Sequence, residues 1–190
     1  MKPTPSTANQ LILVDSNNAC IGYSEKLTCH QNEGMLHRAF SVLLFNSQGE
    51  LLLQKRSQNK MLWPGYWSNS CCSHPYRDEN ILTAAQRRTV EELGLKCPLY
   101  PIYEFEYFAK YKDVGAEHEF CSVFIGVTDE EATACPIEIS ELCSFGAEEI
   151  DHKIKDEPEL FTPWFKMEWQ TLREQHWGQV ETLISTRIAC

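Results

Sequence analysis

The chain is predicted to fold as an α/β protein of the α+β type, a mixed β-sheet sandwiched between helices in a single compact domain. Three observations predict this. Segments with two-residue hydrophobic alternation are interspersed with segments of helical period, the pattern of a mixed sheet covered on both faces. A length of 190 residues is enough for one sizeable core and demands no second. With 43% hydrophobic and 23% charged residues, the composition is that of an ordinary globular protein. Residues 1–10, polar and Pro-containing, are expected to form a flexible tail, and residues 11–190 the domain.

The elements follow in order. Leu11 to Asp15 reads as a strand closed by the turn Ser16-Asn17-Asn18, whereas Ile21 to His30 is ambiguous. Gln31-Asn32-Glu33-Gly34 is a loop. His37 to Phe45 is a strong strand, Asn46 to Glu50 a hairpin turn and Leu51 to Arg56 the returning strand. Trp63-Pro64-Gly65-Tyr66-Trp67 is a rigid aromatic loop, read as a packed anchor. Asp78 is the expected N-cap of a helix from Glu79 to Leu93, with Gly94 its stop and Leu82, Ala85, Thr89 and Leu93 its buried stripe. In Tyr103 to Tyr111, the aromatics Tyr103, Phe105, Tyr107 and Tyr111 share one face with Ala109. Glu117 to Val127 is a further strand. The last third holds a short strand near Phe145, a helix around Glu148 to Lys155 and an amphipathic helix from about Pro163.

Charge and cysteine content narrow the function. The formal net charge of −10, with no basic stripe, argues against nucleic acid as a partner. An acidic chain that binds an anion must gather its few cations locally or use metal ions, so the positions of Lys and Arg are informative. No apolar run is long enough to span a membrane, and the first residues have no apolar signal-peptide core. Nine cysteines without a framework of spacings then predict free thiols and a cytoplasmic protein. No C-x-x-C pair occurs, which disfavours a Cys-rich zinc site.

The chemistry concentrates in Ser70-Cys71-Cys72-Ser73-His74-Pro75. Strand alternation puts Cys72 and His74 on the same side, so one cavity could hold a reactive thiol and a metal ligand; the competing reading is a buried cysteine pair beside a surface histidine. Glu117 and Glu119 project from one face, continued by Cys121, Val123 and Ile125. Two carboxylates leading an apolar face bind a metal, share a proton, or sit at a solvent-exposed strand end. With His30, His37 and His74 they could supply a His₃Glu₂ set, a mixed nitrogen and oxygen sphere suited to a divalent metal.

Ser73, Glu79 and the run Arg87-Arg88-Thr89-Val90-Glu91-Glu92-Leu93-Gly94-Leu95 resemble the Nudix box, G-x₅-E-x₇-R-E-U-x-E-E-x-G-U with U aliphatic. Two departures matter: Ser73 stands where the first Gly should be, and Arg88 replaces a glutamate. Exchanging a metal-binding carboxylate for a cation weakens hydrolysis and favours binding of an intact diphosphate. With Ser68-Asn69-Ser70-Cys71-Cys72-Ser73-His74-Pro75 before the box and Glu117-His118-Glu119 after it, the chain resembles type I isopentenyl diphosphate isomerases from about Leu11 through Trp164. Further matches are Leu36-His37-Arg38-Ala39-Phe40-Ser41, Trp63-Pro64-Gly65 and Pro163-Trp164.

The resemblance implies a Nudix-like fold and interconversion of isopentenyl and dimethylallyl diphosphate by proton transfer through a tertiary carbocation. It implies that Cys72 and Glu119 flank the isoprenoid carbons as acid–base groups, that Tyr107 bonds Glu119, and that Trp164 faces the cation. It places one divalent metal (Zn²⁺, Mn²⁺ or Mg²⁺) on His30, His37, His74, Glu117 and Glu119. A second ion, Mg²⁺, would bridge Glu92 and the diphosphate, which Lys26, Arg56, Lys60 and Arg88 would contact. The implied partner is a small isoprenoid diphosphate, with no nucleic acid or membrane, acting on a monomer or weak homodimer. A Nudix pyrophosphohydrolase is the first alternative, but it calls for Glu at position 88 and has no use for Cys72 with Trp164. A non-catalytic metal- or diphosphate-binding module is the second, for which Cys72 and Glu119 would be dispensable.

Overall fold

The structure, a computed structural model, describes residues 9–188. Most of the expected N-terminal tail therefore lies outside the described residues. Gln10 already belongs to a strand, and the Asn9 carbonyl accepts a 2.8 Å hydrogen bond from the Lys26 backbone.

The chain opens with the antiparallel hairpin β1 (Gln10–Val14) and β2 (Cys20–Glu25). The Asp15 carboxylate makes the turn, accepting from the backbone N–H groups of Asn17 and Ala19 at 2.9 Å each. The ambiguous segment thus divides into β2 and the short helix α1 (Lys26–His30). Strands β3 (His37–Phe45) and β4 (Leu51–Arg56) follow, joined by a turn in which Asn46 Oδ1 accepts from Gln48 and Glu50 and Gly49 takes a φ of 81°. Then come β5 (Trp67–Ser68), β6 (Cys71–Ser73), helix α2 (Ile81–Leu93) and the long hairpin β7 (Tyr100–Tyr111) and β8 (Gly115–Val127). Strand β9 (Ile139–Phe145) precedes three helices, α3 (Ala147–Asp156), α4 (Pro163–Thr171) and α5 (Trp177–Ile188). A π-helical turn, Leu172–His176, joins the last two.

The N-cap of α2 corrects the sequence expectation. Asn80, not Asp78, caps the helix, its Oδ1 accepting from Leu82 and Thr83 at 3.0 and 3.2 Å. Asp78 sits at a φ of 63° in the preceding turn. Glu79 is drawn out of the helix because Arg87 donates two 2.8 Å bonds to its carboxylate and the Tyr76 N–H a third of 2.9 Å.

Strand β3 organises the sheet. It runs parallel to β8 along its whole length and antiparallel to β6 and β4 on its other edge. Strands β5 and β9 extend the sheet from β4, completing nine mixed strands among the described residues. Alternation divides β3 between two cores: Ala39, Leu43 and Phe45 pack under α3, α4 and α5, while Phe40, Val42 and Leu44 pack under α2. The helices on both faces are as expected. Phe40, Phe45 and Phe165 are among the largest fully buried side chains, and truncating any of them to Ala would cost about 3–5 kcal/mol.

Candidate active site

The site lies on the face that carries Ala39 and Leu43, where β3, β6 and β8 meet α1 and α4. Alternation brings His37 from β3 and Glu117 and Glu119 from β8 to this face; the parallel register places His37 opposite Glu119. Helix α1 brings in His30. Gly115 lets α1 pack against the start of β8, because a Cβ there would collide with the His30 carbonyl oxygen. His74 arrives at the end of β6, which pairs with the middle of β3.

The five side chains converge. Each offers a ligand atom, and these lie within 4.8 Å of one another. His74 Nε2 is 2.9 Å from Glu119 Oε1 and 3.0 Å from His37 Nε2. The Nδ1 atoms of His30 and His37 lie 2.6 and 2.7 Å from the carbonyls of Lys26 and Met35, and a ring nitrogen facing a carbonyl must be the donor. Their Nε2 lone pairs therefore point at the centre. Glu117 Oε2 sits 2.9 Å from His30 Nε2 yet accepts no hydrogen bond, although it is shielded from solvent. Both glutamates are buried, which excludes the reading of a solvent-exposed strand end. Lone pairs crowded together without protons between them repel unless a cation lies among them, so the residues fit a divalent metal. Burial drives His74 well below its ordinary value and keeps it neutral. Burial also disfavours the Glu119 carboxylate, but the adjoining His37 and His74 rings hold it well below the usual range.

A cavity of about 470 Å³ opens beside this cluster, lined by Cys72, Tyr107 and Trp164 as well as His30, His74, Glu117 and Glu119. Cys72 and Glu119 come from the strands that flank β3. Burial pushes the Cys72 thiol up to about 12, which leaves it protonated at neutral pH. Cys71 points the other way, into the core beneath α2, and burial raises its thiol well above the ordinary value. Tyr107 donates a 2.7 Å hydrogen bond to Glu119 Oε2. Trp164 donates Nε1–H to the buried Asn69 Oδ1 at 3.2 Å, and its ring packs at a right angle on Trp63, 5.2 Å between centroids. The aromatic loop is thus a packed anchor, and part of what it anchors is the cavity wall.

Of the four expected diphosphate contacts, Lys26, Arg56 and Lys60 line the cavity. Arg56 donates to the carbonyls of Trp63 and Leu62 at 3.1 and 2.8 Å, and its guanidinium lies 5.1 Å from the Trp164 ring centre. Burial lowers Lys26, and neighbouring Lys60 lowers it further. Arg88 and Glu92 stand behind the wall rather than in it. They bond each other, and Arg88 Nη2 also donates to Glu138 Oε1 at 3.0 Å.

Three residues without an expected role emerge. Glu138 lines the cavity and bonds Lys60 and Arg88, but lies in a stretch with no periodic signal. Asn69 holds Trp164 and also donates to the Cys71 carbonyl at 2.8 Å. Glu168 is fully buried beneath the site; its Oε1 takes the Ser41 hydroxyl and its Oε2 has no partner. An acid among Trp164, Phe165, Met167 and Trp169 was the only sign of it in sequence. Cys71, Cys72 and Cys121 are free thiols, and no helix among the described residues is long and apolar enough to cross a membrane.

Fold and site together define a NUDIX protein: residues 35–165 match the NUDIX domain family. A protein from Deinococcus radiodurans shares the fold at a TM-score of 0.65 and 22% identity, over 78% of this chain and 90% of that one. A MutT protein from Methanosarcina mazei does so at 0.60 and 19%, over 74% and 94%. Within NUDIX proteins, the chain belongs to the isopentenyl-diphosphate Delta-isomerase family. It is 44% identical over 172 residues to Isopentenyl-diphosphate Delta-isomerase 1 of Photorhabdus laumondii, covering 90% of this chain and 98% of that relative. It is 41% identical to the Pectobacterium atrosepticum isomerase, over 83% and 88% of the two chains.

Proposed function

We propose that this chain interconverts isopentenyl diphosphate and dimethylallyl diphosphate by proton transfer. The observation that carries the reading is the joint presence of Cys72, Glu119 and Trp164 on one cavity whose rim gathers cations. Family membership supports it, and so does Arg88, which occupies the position where a hydrolase needs a carboxylate.

The reaction adds a proton to the terminal alkene carbon, forms a tertiary carbocation, and removes a proton from the carbon nearer the diphosphate. The Cys72 thiol and the Glu119 carboxyl group divide these two transfers, one giving and one taking on each turnover. The raised Cys72 suits a group that must hold its proton until an alkene is present. Tyr107 fixes the Glu119 carboxyl and leaves its other oxygen facing the histidines. The Trp164 ring, held by Asn69, offers a π-face that stabilises positive charge without capturing it. Lys26, Arg56 and Lys60 take the diphosphate, and the buried Trp63 and Trp164 keep water away from the cation. A divalent ion held by His30, His37, His74, Glu117 and Glu119 would supply a fixed positive charge that sets the acidity of Glu119. Zn²⁺, Mn²⁺ and Mg²⁺ all suit that nitrogen and oxygen set. A Mg²⁺ ion accompanying the diphosphate would complete the requirement, and Glu92 would hold it on turning from Arg88 toward the cavity. The protein acts without nucleic acid or membrane, in the cytoplasm, as a monomer or weak homodimer.

The test is to incubate the protein with isopentenyl diphosphate and Mg²⁺ in D₂O and follow it by NMR. Dimethylallyl diphosphate carrying deuterium is expected, and Cys72→Ala and Glu119→Gln should each nearly abolish it while remaining folded. Release of phosphate or isopentenyl monophosphate would overturn the reading in favour of hydrolysis, and substantial turnover by Cys72→Ala would remove its assigned role.

A further inference from the structure

The cationic wall of the cavity already contains an anion. Glu138, immediately before β9, lines the cavity, and its carboxylate spans Lys60, which also lines it, and Arg88 behind the wall. Oε1 accepts from Arg88 Nη2 at 3.0 Å and Oε2 from Lys60 Nζ. Its backbone is tied to the same loop: the Ser57 N–H donates to the Glu138 carbonyl at 2.9 Å, and the Lys60 N–H to the Ser57 carbonyl at 3.1 Å. Arg88 is engaged on its other side by the buried Glu92. With Glu91, 2.9 Å from Arg88 Nη1, Lys60 and Arg88 are therefore fully matched by carboxylates of the protein itself. Of the remaining cations, Arg56 spends two donors on backbone carbonyls, and burial disfavours charge on Lys26.

We infer that Glu138 is a specificity residue: its carboxylate competes with a phosphate group for Lys60 and admits a diphosphate only together with a divalent cation. The inference rests on the reading of this cavity as a diphosphate site. A bare diphosphate that reaches Lys60 must displace this carboxylate from it and then lie beside it, since Arg88 holds Glu138 from behind the wall: two like charges in a half-buried pocket. A diphosphate that brings a divalent cation meets the same carboxylates as attractive partners. Glu138 keeps its charge throughout the physiological range: burial opposes it, but Lys60 and Arg88 hold the carboxyl down at about 2.

Inorganic pyrophosphate is the probe, titrated calorimetrically with and without Mg²⁺ into the wild type, Glu138→Gln and Glu141→Gln. The last removes an equal charge from an exposed β9 residue paired with Lys55, and so controls for net charge. The wild type is expected to bind pyrophosphate at least about tenfold tighter with Mg²⁺ than without. Glu138→Gln should bind it at least about tenfold tighter than wild type when Mg²⁺ is absent, with the Mg²⁺ gain reduced by a similar factor. Glu141→Gln should match the wild type. Equal wild-type affinities with and without Mg²⁺ would overturn the inference. So would a Glu138→Gln protein that binds bare pyrophosphate no better than Glu141→Gln, or more weakly than wild type. The titration involves no turnover. A failure to isomerise, with these affinities as expected, would sink the proposed reaction alone.

Discussion

Glu168→Gln tests the chemistry beneath the active site. Glu168 is fully buried on α4, gives one oxygen to Ser41 and leaves the other without a partner. Burial, abetted by the charge on Glu119, raises its carboxyl group from an ordinary 4.5 to about 8 despite the Ser41 hydroxyl. The group is thus neutral in the folded protein at neutral pH and ionised in the unfolded chain. Because the folded value is the higher one, its contribution to stability is fully present below about 4.5 and is lost as pH rises through about 8. At about 1.4 kcal/mol per pH unit that interval is worth at most about 5 kcal/mol, and local relaxation and water entry reduce it to about 2–4 kcal/mol. The amide of Gln has nearly the same shape and no charge to gain. Denaturant unfolding of both proteins from pH 5 to 9, in a buffer of constant ionic strength, should show the wild type losing ground to Glu168→Gln by about 2–4 kcal/mol over that range. A stability difference that stays flat within about 1 kcal/mol would refute the reasoning, because Glu168 would then ionise in place at no cost.

Three further predictions concern the site. Tyr107→Phe leaves Glu119 Oε2 buried without its donor, worth about 1–3 kcal/mol, so kcat should fall roughly tenfold to a hundredfold with KM little changed; steady-state kinetics check this, and an unaltered kcat would count against the role of the hydroxyl. Gly115→Ala should push α1 away from β8 and take His30 with it. Metal affinity, read by competition with a chromophoric chelator, is expected to drop about 10- to 100-fold, and an unchanged affinity would show that α1 adapts. Arg88→Glu should mainly raise KM, since it places a fourth carboxylate among Glu91, Glu92 and Glu138; an unchanged KM would show that Arg88 does not support the diphosphate site.

Much of this molecule was legible in the amino-acid order because local rules wrote it. Two-residue alternation specified β3, β7 and β8 and the faces they present, and therefore which of Cys121, Val123 and Ile125 would share a side with Glu117 and Glu119. The altered Nudix box and the Cys72 to His74 spacing marked the chemistry, because the reaction demands those residue types at those intervals. The N-cap was misplaced for an equally local reason: Asp78 and Asn80 are both good caps, and only the pull of Arg87 on Glu79 chose between them. Convergence was not legible. His30, on a five-residue helix, meets Glu117 because Gly115 permits the contact, and no periodicity joins positions so far apart. Glu138 and Glu168 gained their meaning from neighbours across the fold: one from Lys60 and Arg88, the other from its burial against Ser41. The sequence by itself determined which elements form and which chemical groups they carry. Tertiary structure alone decided which groups face one another and which lose their water, because charge pairing and desolvation depend on distance in space rather than along the chain.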